Sequence, residues 1–125
     1  MKLLFTAMLV PAALSIAPTP AAAQNADAGA QVFNTCRACH TLNKGGRNGA
    51  GPNLHGLFGR QAAAATGFSY SPALKASKIR WDDKTLSEYL EAPTKRVPGT
   101  RMMVKVPDAA KRAALIAYLK RETTK

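Results

Sequence analysis

Apolar side chains recur at helical spacing in three separate stretches of the chain, and no stretch of five or more residues alternates as a strand would. The spacing predicts main helices over residues 27–39, Asp83–Glu91 and 109 to about 121. Asp82 and Asp108 stand just before the second and third of these, where a carboxylate can cap a helix N-terminus. The pattern therefore predicts an all-α fold.

Turn-forming residues fill the intervals between these helices. Residues 41–51 are rich in Gly and Asn (Gly45-Gly46 and Asn48-Gly49) and are predicted to form a loop. A short helix is expected to open at Ser71-Pro72, and residues 97–99 are expected to form a turn. Loops of this extent are unusual in a small domain without a bound group.

The most specific chemical signal lies at the end of the first predicted helix, where the chain reads Cys36-Arg37-Ala38-Cys39-His40. The order C-x-x-C-H is typical of covalent attachment of a c-type haem. Cys36 and Cys39, on one helix face, can add to two vinyl groups of the porphyrin, and His40 can supply a nitrogen to the iron. A haem would also explain the long loops, because side chains can pack against this large apolar group in place of a core.

Two other interpretations apply to a bare pair of cysteines at this spacing. A zinc site needs about four ligands, whereas the chain offers one further histidine, His55. A thiol–disulfide site of the thioredoxin type needs a βαβ setting, which the apolar pattern does not predict. Haem attachment is therefore the favoured interpretation.

The amino terminus has the features of an export signal. Lys2 precedes an apolar run over residues 3–17, and small residues follow up to Ala23. A basic start, an apolar stretch and an A-x-A site are typical of a secretory signal peptide. We expect cleavage of residues 1–23, leaving one small domain over residues 24–125 in the bacterial periplasm. An uncleaved anchor is the alternative, although the run is short for a membrane span.

The charge of the chain is strongly unbalanced. The 18 Lys and Arg residues exceed the 7 Asp and Glu residues and give a net charge of +11 at pH 7. A charge of this size in a small domain indicates partners of opposite sign. We expect a monomer that meets acidic protein surfaces or the face of an anionic membrane, without inserting in it. Nucleic acid is not expected, because an exported protein rarely meets it.

A haem iron bound by His40 needs a second ligand unless that position stays open. The chain offers Met102, Met103, His55 or a lysine. Residue type alone ranks these candidates weakly, because a lone Met often fills a core. The residues by themselves leave the choice open.

From about residue 29 to residue 120 the chain resembles a class I c-type cytochrome, similar to mitochondrial cytochrome c and its soluble bacterial relatives. The matching stretches are 36–41, 51–60, 67–70, Trp81, 88–90, 98–102 and 115–119. The resemblance implies a small cytochrome c fold, with three main helices plus short helices and loops wrapped around one covalently bound haem. It also implies that Gly29 and Phe33 pack against the last helix near Tyr118.

The resemblance further implies roles for individual residues around the haem. Met102 would bind the iron opposite His40, and Met103 remains the rival ligand. The Pro52 carbonyl would accept the other imidazole N–H and fix the ring, and Tyr89 would lie close to the Met102 sulfur. Both Tyr89 and Trp81 could alternatively be core aromatics. The residues implied around the haem propionates are Arg60, Tyr70, Trp81 and Thr100.

Three positions depart from the family pattern. Leu74 stands where the family usually has an Asn, Val104 replaces an aromatic side chain at the haem edge, and Asn48 stands where mitochondrial members have a loop-bracing His. These departures bear on the reduction potential and on the stability of the Met102–iron bond. They do not affect the expected fold.

An iron held by His and Met has no vacant position for substrate, so the resemblance implies a one-electron carrier and not an enzyme. Its donor would be a quinol–cytochrome c reductase, and its acceptor an oxidase, a photosynthetic reaction centre or a peroxidase. The alternatives are a haem protein with a labile Met ligand, acting as a peroxidase or small-ligand binder, and a haem subunit of a larger enzyme. The residues expected to border a docking surface, rather than a generally solvated basic surface, are Arg37, Lys44, Arg47, Lys95, Arg96, Arg101 and Lys105.

Overall fold

Three longer helices and two short ones make up the regular structure. The computed structural model describes residues 11–17 and 21–125, with the backbone alone for 21–26. The helices are α1 (Ala21–Phe33), α2 (Pro72–Ala76), α3 (Asp83–Glu91), α4 (Pro93–Arg96) and α5 (Ala109–Glu122). In these described ranges the one β pairing is an antiparallel bridge between Gln61 and Arg80. The prediction of an all-α fold is confirmed.

Side-chain caps explain why the later helices begin where the sequence predicts. Asp82 accepts the backbone N–H of Thr85 at 2.7 Å, and the Thr85 hydroxyl accepts the N–H of Asp82 at 2.9 Å, which completes a capping box. Asp108 caps α5 by accepting the N–H of Lys111 at 2.8 Å, and Ser71 caps α2 in the same way. The short helix α4 was not predicted; it opens on Pro93, a residue suited to the first helical position.

The first helix differs from its prediction at both ends. It begins at Ala21 and not at residue 27, because the alanine-rich segment before residue 27 has high helix propensity. It ends at Phe33 and not at residue 39, where hydrogen-bonded turns take over. At this end the Thr35 hydroxyl donates to the Val32 carbonyl at 2.9 Å, a local bond that competes with helix continuation.

The core is centred on the crossing of α1 and α5. A Cβ atom at Gly29 would overlap the Ala114 carbonyl oxygen and the Tyr118 side chain, so glycine permits the close approach. The ring centroids of Phe33 and Tyr118 lie 5.6 Å apart, which confirms the expected packing of these residues. Phe33 and Leu115 are each only 1% exposed.

The C-terminal end of α5 connects the helical frame to the loop after the cysteine motif. Thr123 is fully buried, and its carbonyl accepts the N–H of Gly56 at 2.8 Å. The sequence pattern did not indicate this contact. It fixes residues 51–56, which adjoin His40, to the frame.

The predicted signal segment lies largely outside the described residues, which omit residues 1–10 and 18–20. In the described stretch 11–17, Leu14 and Ile16 are 90% and 86% exposed. None of the described helices is long and apolar enough to cross a membrane. Cleavage after Ala23 and the domain bounds 24–125 stay predictions.

Candidate haem-binding site

The larger cavity in the described part of the chain has a volume of about 520 Å³. Its walls come from α1, α3 and α5 together with the loops between them, and they are mostly apolar. The volume lies within the range of roughly 300–1,000 Å³ that is common for ligand and cofactor sites. Ten predicted haem-site residues line it: Cys36, Cys39, His40, Pro52, Arg60, Tyr70, Trp81, Tyr89, Thr100 and Met102.

The cysteine motif lies in the turns that follow α1, and not on the α-helix that the sequence predicted. The N–H of His40 still donates to the Cys36 carbonyl at 3.0 Å, and the N–H of Cys39 donates to the same carbonyl at 3.0 Å. This single turn of helix-like bonding keeps the two free thiols and the imidazole on one wall of the cavity. Burial is the main cause that raises the pKa of the Cys36 thiol, which favours its protonated form.

The His40 ring is held by a backbone carbonyl. Its Nδ1 lies 2.7 Å from the Pro52 oxygen, and since a carbonyl only accepts, Nδ1 carries the proton. Burial lowers the pKa of His40, against the smaller raising effect of the Pro52 hydrogen bond, so the neutral imidazole is favoured. A Cβ at Gly51 would run into the ring, so glycine is needed to bring this loop against His40. The Nε2 lone pair remains available to a metal.

Asparagine side chains brace the loop that carries Pro52. The Asn53 amide donates to the Thr41 hydroxyl at 2.8 Å, and the N–H of Asn53 donates to Asn48 Oδ1 at 2.8 Å. Asn48 in turn donates from its own amide to the Thr66 carbonyl at 3.0 Å. The bracing role of Asn53 was not predicted from the sequence, because its partners lie up to 12 positions away and only the Asn-rich composition of the loop indicated them.

The segment that carries Met102 is anchored from α3. The hydroxyls of Tyr89 and Thr100 lie 2.6 Å apart, and the N–H of Val106 donates to the Leu90 carbonyl at 2.7 Å. Met102 is partly buried, whereas Met103 is 72% exposed, although both line the cavity. Burial raises the pKa of Tyr89, against the smaller lowering effect of the Thr100 hydrogen bond.

A family model described as Cytochrome c matches residues 26–122. Cytochrome c of Nigella damascena is 46% identical over 82% of this chain and 95% of its own length, and cytochrome c2 of Blastochloris viridis is 44% identical over 86% and 85%. The structure of cytochrome cH from Methylobacterium extorquens is similar with a TM-score of 0.71 at 43% identity, covering 77% of this chain and 97% of that one. The chain belongs to the cytochrome c family.

Membership of the family gives the chain one covalently attached haem c with its iron and a role as a single-haem electron carrier. This decides against the zinc and thiol–disulfide interpretations of the motif. The residues present fit the group: two thiols, a neutral imidazole and a thioether share one cavity, and Gly51 leaves room for the imidazole. The class I cytochrome resemblance and the cytochrome c fold are confirmed.

Two polar residues of the cavity, Arg60 and Tyr70, have some of their hydrogen-bonding groups paired within the protein. Arg60 donates from Nη1 to the His55 carbonyl at 2.9 Å and from Nη2 to the Asn53 carbonyl at 3.1 Å. Its Nε is buried with no partner among the described residues, so this N–H remains available to a ligand. The Tyr70 oxygen accepts the N–H of Ala65 at 3.0 Å, which leaves the phenol proton free to donate. Trp81 packs against Tyr89 with ring centroids 5.2 Å apart.

The seven predicted docking residues are all exposed, but only Arg101 lines the cavity. Arg96 is paired with Glu88 at 3.1 Å, and Arg101 donates to the Ser69 carbonyl at 3.1 Å. No Asp or Glu occurs between residues 28 and 81 or between 92 and 107. Every Asp, Glu, Lys or Arg in the stretches that carry His40 and Met102 is therefore a Lys or an Arg. The acidic residues after residue 81 belong to α3, α5 and their caps.

Two of the positions that depart from the family pattern lie at the cavity itself. Leu74 and Val104 both line it, and Val104 is 41% exposed. The third, Asn48, braces the neighbouring loop with a neutral amide, as described above.

Proposed function

We propose that this cytochrome c carries single electrons in the periplasm, with His40 and Met102 as the axial ligands of its iron. The observation that carries the proposal is the 2.7 Å bond from His40 Nδ1 to the Pro52 carbonyl, on a cavity that Met102 also lines. That bond leaves Nε2 as the nitrogen directed to a metal. When bound, the haem supplies a one-electron couple between Fe(III) and Fe(II).

Residues of the chain hold the haem and supply the ligands of its iron. Cys36 and Cys39 would hold the macrocycle through two thioethers, and the Pro52 carbonyl would keep the ring of His40 in place. The Met102 thioether is a soft neutral donor, which raises the potential relative to ligation by two histidines. Because His40 and Met102 would both hold the iron, no ligand position would be left for a substrate, and the protein would act as a carrier and not as an enzyme.

Polar residues at the cavity wall serve the haem propionates. Arg60 offers its unpaired Nε and Tyr70 its phenol proton, since their other polar atoms already have partners. Trp81 and Thr100 complete this set, and Tyr89 lies close to the Met102 sulfur. Such donors offset the cost of removing propionate charges from water.

The basic surface determines the partners. Seven exposed basic residues meet acidic docking surfaces of membrane redox complexes. These residues are Arg37, Lys44, Arg47, Lys95, Arg96, Arg101 and Lys105. A quinol–cytochrome c reductase is the donor, and an oxidase, a reaction centre or a peroxidase is the acceptor. The predicted signal peptide over residues 1–23 directs the carrier, a monomer, to the periplasm.

A spectrum with a redox titration of the purified protein tests the ligands. The oxidised native protein should show a far-red methionine-to-iron charge-transfer band, and the reduced protein should not bind carbon monoxide. Met102→Ala should abolish the band and lower the midpoint potential, whereas the adjacent control Met103→Ala should leave both in place. The proposal is wrong if Met103→Ala, and not Met102→Ala, removes the band.

A labile Met102 is the second candidate, and it would permit peroxidase activity or binding of small ligands. It is favoured by one observation: in the described part of the chain, no hydrogen bond involves the backbone groups of residues 101–105. Carbon monoxide binding to the reduced native protein would support this function over that of a closed carrier.

A further inference from the structure

The loop after the cysteine motif contains an asparagine followed directly by a glycine, Asn48-Gly49. Glycine has no Cβ, so its backbone nitrogen can approach the side-chain carbonyl carbon of the asparagine before it. In that reaction a bond forms between the Gly49 nitrogen and Asn48 Cγ, and the bond from Cγ to Nδ2 breaks. Nδ2 leaves as ammonia with the proton that the Gly49 nitrogen gives up. Water then opens the five-membered imide to aspartate or isoaspartate, with no oxidation or reduction.

The folded chain engages both reacting groups in hydrogen bonds. Asn48 Oδ1 accepts the N–H of Asn53 at 2.8 Å, and Asn48 Nδ2 donates to the Thr66 carbonyl at 3.0 Å. The N–H of Gly49 donates to the Gly51 carbonyl at 2.9 Å. The imide can form only after the Asn48 side chain leaves its two partners and the Gly49 nitrogen is released from its own.

The bonds that hold this loop belong to the haem site. The N–H of Gly51 donates to the Cys39 carbonyl at 2.9 Å, which ties the loop to the cysteine motif. The next residue, Pro52, holds the ring of His40 through its carbonyl. Unfolding of the site therefore removes the restraints on Asn48 at the same time.

We propose that Asn48 is a deamidation site that the folded protein keeps closed, and that its conversion to a carboxylate weakens the loop that carries Pro52. The converted side chain would place an oxygen where the amide nitrogen now donates to the Thr66 carbonyl. Two acceptors would then face each other without a proton, and the bond from this loop to residues 61–70 would be lost. Chains that stay unfolded before they receive haem would acquire the change and then fold with a weaker loop.

Peptide mass spectrometry of aged holoprotein tests the site. The holoprotein is incubated at neutral pH either in its native state or unfolded in guanidinium chloride, with its haem covalently attached in both. Asn48 of the unfolded protein should become aspartate and isoaspartate. The native protein should convert about a hundred-fold more slowly, the protection expected when about three modest hydrogen bonds must open first. Asn43, which Lys44 follows, is the internal control and should convert far more slowly than Asn48 in the unfolded protein.

Two comparisons of variants test the nucleophile and the consequence. In guanidinium chloride Gly49→Ala should slow the conversion, because a Cβ hinders the approach of the nitrogen; this result does not depend on whether the variant folds. Asn48→Asp should lower the guanidinium midpoint of the native holoprotein. Asn43→Asp adds the same charge at an exposed position of the same loop and should lower it much less.

Three results would overturn the inference. Equal conversion of Asn48 in native and unfolded protein would show that the hydrogen bonds give no protection. An undiminished rate in Gly49→Ala would exclude the Gly49 nitrogen as the attacking group. Equal midpoint losses in Asn48→Asp and Asn43→Asp would show that the bond to Thr66 does not support the loop. None of these results bears on the proposed ligation by Met102, which the far-red band tests separately.

Discussion

The hydroxyl pair of Tyr89 and Thr100 anchors the methionine segment and can be tested by deletion. The two oxygens lie 2.6 Å apart, and the residues are 5% and 8% exposed. Tyr89→Phe leaves the Thr100 hydroxyl without this partner at a buried position. Loss of one partner from a buried hydrogen bond costs about 1–3 kcal/mol, so we expect the free energy of unfolding to fall by about 2 kcal/mol.

Removal of both hydroxyls should cost much less than the two single changes together. Thr100→Val keeps the shape of the side chain and orphans Tyr89, at a similar cost of about 2 kcal/mol. In the double variant neither polar group remains to be buried without a partner. The combined loss should then fall short of the sum by about 2 kcal/mol, within the range observed for residues in direct contact.

Guanidinium unfolding of the four holoproteins, followed by far-ultraviolet circular dichroism, measures this cycle. The far-red band should weaken in each single variant, because Thr100 stands two residues before Met102. Strictly additive losses would refute the reasoning, since they would mean that the two hydroxyls do not stabilise the fold through each other. An unchanged unfolding free energy in Tyr89→Phe would refute it as well.

Three further predictions concern packing, docking and pH. Gly29→Ala should lower stability by about 2 kcal/mol in thermal unfolding, because overlap of the new Cβ with a backbone carbonyl of α5 outweighs a helix-propensity gain of about 1 kcal/mol. The control Ala28→Gly, at an exposed position of the same helix, should cost only about 1 kcal/mol. Lys95→Glu should slow electron transfer to an acidic partner on the order of five-fold at low salt, more than Lys111→Glu on α5, and equal slowing would exclude a defined docking patch. Burial raises the pKa of Tyr89, so the neutral phenol stabilises the fold up to about pH 10. This contribution is lost as the pH rises through the higher pKa of the folded state. The free energy of unfolding measured above about pH 10 should therefore fall less steeply with pH in Tyr89→Phe than in the native protein.

Sequence alone was most accurate where the signal is local. Asp82 and Asp108 mark the starts of α3 and α5 because a carboxylate at that offset satisfies helix N–H groups whatever the tertiary structure. The end of α1 was missed, since the bond from Thr35 to Val32 and the turns after it replace the helix that the apolar spacing predicted. The spacing of apolar residues carries no information on such a side-chain bond, so it does not predict this helix end.

The site divides in the same way. The C-x-x-C-H run is local and identifies the haem by itself, whereas residue chemistry could not choose between Met102 and Met103. The contacts that hold that segment span 11 and 32 positions, from Tyr89 to Thr100 and from Arg101 to Ser69, and no local pattern predicts them. Arg101, a predicted docking residue, also donates a hydrogen bond to the Ser69 carbonyl that the sequence did not indicate.

The cavity also indicates how strongly the fold depends on its haem. Without the macrocycle, the mostly apolar walls of a cavity of about 520 Å³ would face water, and the whole stability of a small domain, about 5–15 kcal/mol, leaves little to offset that loss. The chain without haem should therefore be largely unfolded, with at most the contact of α1 and α5 persisting. Cys36→Ser/Cys39→Ser, purified without haem, should show low helix content and no sharp melting. A cooperative thermal transition with native helix content would show instead that the walls support one another without the macrocycle.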